Sequence, residues 1–135
     1  MSVPLIAAGS LALLGAAIHG VGGEVWVVRK LSRDTLPPTR FGGPRMTKAM
    51  IHASWHMVTV GFLTVGGALL LAGSALDGDV ARAVALVAAT AATGFAAIVV
   101  GIGGAYNRLS PRALLSHPGP IVLTATAVLA WWGAL

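Results

Sequence analysis

Charged residues are so sparse in this chain that they divide it into four uncharged runs, residues 1–23, 49–76, 83–107 and 113–135. A helix needs about 20 mainly apolar residues to cross a hydrocarbon core of about 30 Å, and each run is long enough. The pattern predicts an all-α fold, an integral membrane four-helix bundle with up-down-up-down topology, as one domain over residues 1–135. The spans are expected near residues 4–28, 48–73, 80–106 and 118–135. Composition closes off the alternatives. Hydrophobic residues make up 56% of the chain and charged ones 10%, whereas soluble domains carry about 25% charged residues and disordered chains are more polar still. With no Cys, disulfides, thiolate metal sites, iron–sulfur clusters and cysteine nucleophiles drop out. Met1 to Ile18 holds no charge, so the basic region of a cleaved signal peptide is missing and the first segment reads as a permanent span.

Orientation follows from the basic residues, which concentrate in cytoplasmic loops. Arg29, Lys30, Arg33, Arg40, Arg45 and Lys48 flank or occupy the first connection, and Arg108 and Arg112 the third. The second holds Arg82 beside Asp77 and Asp79. Loops 29–47 and 107–117 are therefore expected in the cytoplasm, with both termini on the other side. This asymmetry accounts for the net charge of +5 and fits a bacterial inner membrane, and no nucleic-acid-binding motif accompanies it. Attraction of the first loop to anionic lipid is the expected use of the charge. Leu36-Pro37-Pro38 and Phe41-Gly42-Gly43-Pro44 break any helix continuing from the first span. Asp79 is the expected N-cap of the third helix, and Pro118 the first residue of the fourth, with His117 just before it. Trp131 and Trp132 at one face and Trp26 and Tyr106 at the other suit interfacial aromatic belts.

Ionisable groups inside spans are expensive, so each is a functional hypothesis that needs a partner. This chain has Glu24 and all four of its histidines, His19, His52, His56 and His117. At 1.5 Å per residue from the basic markers, His19 lies about 15 Å deep, His56 about 12 Å, Glu24 about 7.5 Å, His52 about 6 Å and His117 about 7 Å. This gives two layers: His19 with His56, and Glu24 with His52 and His117. His52 and His56 are four apart and share one helix face. On the first helix, Gly15, His19 and Gly23 form one four-residue row beside Ala8, Ala12, Ala16, Gly20 and Glu24. Such strips let helices approach closely, and they also leave room for a flat ligand.

Three classes of function are compatible with these residues. The first is a bound haem b or transition-metal ion, since imidazole suits zinc, copper and iron and bundle cores commonly hold such centres. In the haem version His19 and His56 are the axial ligands and Arg45 and Lys48 meet the propionates, an arrangement that resembles, in architecture, small membrane b-type cytochromes. The resemblance implies electron transfer, with quinone as a partner, and would make the chain a membrane redox protein. In the non-haem version His52, His56 and Glu24, with His19 or His117, hold one ion. The second class is a His/Glu proton relay or small transporter. The third is a cofactor-free accessory subunit of a larger membrane complex, or a homo-oligomer, with the lipid bilayer as its partner.

Overall fold

Proline and glycine set the helix starts. The computed structural model describes residues 1–40, 42–106, 110, 112 and 117–135. Helix α1 spans Val3–Ala17 with Pro4 in its first turn. A single π-helical turn, Ile18–Gly22, comes next, then a short α2, Gly23–Trp26, and a 3-10 turn, Val28–Lys30. Helix α3 runs Pro44–Ser74, about one turn earlier than expected, because Pro44 at the first helical position needs no N–H partner. Helix α4 runs Gly78–Tyr106 and α5 Pro118–Ala134. Since α4 begins at Gly78, Asp79 lies inside its first turn instead of capping it, where its charge still complements the helix dipole.

Three segments, Val3–Lys30, Pro44–Ser74 and Gly78–Tyr106, are long and apolar enough to cross a membrane. The fourth expected span is shorter: α5 has 17 residues, about 26 Å at the helical rise and a little under the thickness of the hydrocarbon core. Of the expected loop 107–117, residues 110, 112 and 117 are described and Arg108 lies outside the described residues, as does Phe41 in the first loop.

The helices close a ring in which α1 packs on α3 and α5, and α4 packs on the same two. Small side chains line the contact. Ala8, Ala85, Ala89 and Ala130 are fully buried, with Leu5 and Leu69 the larger residues among them. A Cβ on Gly9 would stand 2.8 Å from the Gly66 carbonyl oxygen, so α1 and α3 touch backbone to backbone. In lipid, which is as apolar as the side chains themselves, this close van der Waals approach is what associates helices. The outer surface is correspondingly apolar, with Val21, Met57, Val87 and Val128 all mostly exposed. Trp26, Tyr106 and Trp132 also face outward, whereas Trp131 turns to α4 and donates its indole N–H to Thr93 Oγ1 at 2.9 Å. The first loop is tied back to α3: Thr47 Oγ1 donates to the Pro37 carbonyl and Lys48 Nζ to the Leu31 carbonyl, both at 2.7 Å.

The close approach separates two adjacent glycines of α3. A Cβ on Gly66 would press on Leu13 at 2.8 Å, whereas one on Gly67 meets nothing within 4 Å. Gly66→Ala is expected to destabilise the protein by about 1–3 kcal/mol through overpacking. Gly67→Ala should be neutral or add up to about 1 kcal/mol through helix propensity. Thermal unfolding of both variants in detergent checks the pair.

Candidate metal centre

Two α3 residues one turn apart, His52 and His56, present imidazoles tilted 46° to each other, with centroids 4.9 Å apart and their Nε2 atoms 3.1 Å apart. Glu24 of α2 reaches across to them. Its Oε2 lies 3.0 Å from His52 Nε2 and 3.5 Å from His56 Nε2, while Arg29 Nε donates to Oε1 at 3.2 Å. The carboxylate is 17% exposed and the two imidazoles 46% and 47%.

A clamp one turn deeper brings Glu24 into place. The indole N–H of Trp55 donates to the His19 carbonyl at 2.8 Å, and His19 Nε2 lies 3.3 Å from the Trp55 carbonyl. A carbonyl only accepts, so Nε2 is the protonated nitrogen of His19. The two rings stack at 4.4 Å and 4°, and Phe62 closes the far side edge-on at 5.6 Å. This exchange falls on the π-helical turn, whose extra residue rotates the helix beyond it and carries Glu24 toward α3. Gly20 and Gly23 make the approach feasible, since a Cβ on either would collide with Thr59 or with the Trp55 ring.

The three ligand atoms form a triangle with edges of 3.0, 3.1 and 3.5 Å. A single proton satisfies only one of those edges. Glu24 Oε2 is buried and has no hydrogen-bond partner among the described residues, although an unsatisfied buried acceptor normally costs about 1–3 kcal/mol. A cation in the middle would meet all three atoms at once. Tetrahedral zinc, with ligands at about 2.0–2.1 Å, separates neighbouring ligand atoms by about 3.3 Å, which is the mean scale of this triangle. Two imidazoles and a carboxylate would supply three ligands to such an ion. The same donor set suits ferrous iron, so the triangle selects a class of ion and not one element. The segment His52-Ala53-Ser54-Trp55-His56 places its histidines as helical zinc proteases do, but Ala53 stands where those enzymes carry their general base.

Thus Glu24, His52 and His56 meet as the non-haem reading expects, whereas the fourth member does not join them. His19 is engaged with Trp55. His117 caps α5, its Nδ1 accepting the Gly119 N–H at 3.1 Å. Lys48 holds a loop carbonyl and Arg45 is exposed in the first turn of α3. The glycine row expected to receive either a helix or a flat ligand receives a helix, because Thr59 and Trp55 fill it. The expected pairing of His56 with His19 by depth gives way to its pairing with His52 along the helix. Two contributors, Trp55 and Arg29, carry no site role in the sequence reading. Their signals were the three-residue spacing of Trp55 from His52, and an arginine one turn beyond the only acid of the first span.

Trp55→Phe keeps the stack and loses one hydrogen bond, an expected cost of about 1 kcal/mol, with metal affinity nearly unchanged. Trp55→Ala empties the clamp at an expected cost of about 3–5 kcal/mol, and metal binding should weaken with it as Glu24 loses its support. Unfolding in detergent combined with a zinc titration checks both. No family model, no curated protein and no solved structure matches this chain.

Proposed function

We propose that this chain is a small integral membrane protein whose helices run up-down-up-down. Its basic end faces the cytoplasm of a bacterial inner membrane. In its cytoplasmic half it holds one divalent transition-metal ion between Glu24, His52 and His56. The observation that carries the reading is the convergence of three ligating atoms within 3.5 Å around a buried, unsatisfied carboxylate oxygen. Arg29 on the other carboxylate oxygen orients the ligand, the usual role of a partner just outside the coordination shell.

The geometry favours a single ion over haem b. Axial imidazoles lie on opposite sides of a macrocycle, with nitrogens about 4 Å apart at ordinary metal–nitrogen distances, and the His52 and His56 nitrogens are closer than that on one face. The other proposed axial ligand, His19, has its ring packed between Trp55 and Phe62. A proton relay is also less favoured. Beyond the histidines, the hydroxyls of Thr64, Thr90 and Thr126 each donate to the carbonyl four residues back in their own helix, so they extend no chain across the membrane.

Zinc titrated into the detergent-solubilised protein is expected to bind one ion per chain. Glu24→Gln, His52→Ala and His56→Ala should each lower affinity by more than about tenfold, because each removes a ligand. Protons compete with metal for imidazole and carboxylate, so affinity should fall as pH is lowered from neutral. Zinc at a hundred times its dissociation constant should raise stability by about 2.7 kcal/mol. Binding that is equal in the wild type and the three variants would remove the site.

A further inference from the structure

The connection between the first span and α3 gathers cations that the fold does not pair. Lys30, Arg33, Arg40 and Arg45 are all exposed, and none has an ion-pair partner among the described residues. Asp34 is the one acid between Arg29 and Lys48, and it closes a local turn in which its backbone N–H donates to Ser32 Oγ at 3.3 Å. The segment is folded onto α3. Its 3-10 turn Arg33–Thr35 packs against that helix. Thr39 and Gly42 exchange backbone hydrogen bonds at 2.8 and 3.2 Å, which puts Arg40 in a tight turn. The bonds from Thr47 to the Pro37 carbonyl and from Lys48 to the Leu31 carbonyl hold the connection to the start of α3, where Arg45 stands. Lys48 is used in building this arrangement, and the other four cations are left to face outward. Next to them the surface turns apolar. Met46, Met50 and Met57, at helical spacing along α3 from Arg45, are exposed on one face.

We infer that this folded connection is a binding surface for the phosphate head groups of anionic phospholipid, with the acyl chains lying along the exposed methionines of α3. The inference rests on the membrane reading given above and is independent of the metal. Basic residues beside a membrane attract anionic lipid by charge alone, and three of the four outward cations are guanidinium groups, whose paired N–H donors match phosphate oxygens. The fold adds preorganisation. Because Thr47 and Lys48 already hold the connection in place, less chain has to be ordered when a head group arrives. The apolar strip beside the cations selects a lipid over free inorganic phosphate, which would leave the methionines uncovered.

Electron spin resonance of spin-labelled lipid, with the full chain reconstituted in phosphatidylcholine vesicles, tests this. The motionally restricted fraction is compared for labelled phosphatidylglycerol and labelled phosphatidylcholine. Phosphatidylglycerol should be preferred by about threefold or more in low salt, and the preference should shrink in 1 M salt, where charges are screened beyond about 3 Å. Arg33→Gln, Arg40→Gln and Arg45→Gln together should bring it close to parity. Arg82→Gln, which removes a charge from the other end of the bundle beside Asp77 and Asp79, should leave it unchanged. Thr47→Val removes no charge but breaks the bond to the Pro37 carbonyl, and its preference should fall between those of the wild type and the triple variant. Equal restriction of the two lipids, or a preference that survives the triple substitution, would overturn the assignment. A preference indifferent to Thr47→Val would overturn the part played by the folded shape, and release of the labelled lipid by an equal concentration of inorganic phosphate would overturn the choice of lipid. Extraction of the protein from the vesicles by alkaline carbonate would instead overturn the membrane reading on which the inference stands.

Discussion

The reciprocal exchange between His19 and Trp55 is the interaction on which the Glu24, His52 and His56 cluster depends. Each residue gives a ring N–H to the other's carbonyl, and the rings stack between those two bonds. A helix carbonyl keeps a second lone pair beyond its bond to the residue four positions on, and the Trp55 carbonyl, inside helix α3, offers that pair to His19. The exchange is feasible because glycine at positions 20 and 23 lets the two backbones close in beside the π-helical turn Ile18–Gly22.

The placement of the acid depends on that clamp. Glu24 has Arg29 on one carboxylate oxygen and two imidazoles near the other. The first pairing gives Oε1 one hydrogen bond. The second places Oε2 3.0 Å from His52 Nε2 and 3.5 Å from His56 Nε2, a cluster that could hold a metal ion. The remaining histidine chemistry of the chain is structural, in the clamp at His19 and the cap at His117.

Most of the architecture was legible in the sequence because it derives from one-dimensional quantities. Run lengths between charges located the helices, and Pro118 marked the start of α5, whereas Pro44, read as a breaker, opens α3 about one turn earlier than expected. The shared face of His52 and His56 came from their four-residue spacing. Depth counting missed the rotation of the first span. It assumes an unbroken α-helix, and the π-helical turn between His19 and Glu24 changes which residues face α3. Nor could periodicity say whether the glycine row would receive a ligand or a neighbour, since both need the same small residues. Trp55 settles it by filling the row, and no pattern of spacing distinguishes an indole that fills such a row from one that anchors at the membrane interface.

The central claim is that Glu24, His52 and His56 close on one ion. X-ray absorption at the zinc edge of the loaded protein tests it most directly. The account predicts nitrogen and oxygen scatterers at about 2.0–2.1 Å with the outer-shell signature of two imidazoles, reduced by one imidazole in His52→Ala. A shell of oxygen alone, or one with the same imidazole signature after that substitution, would contradict it.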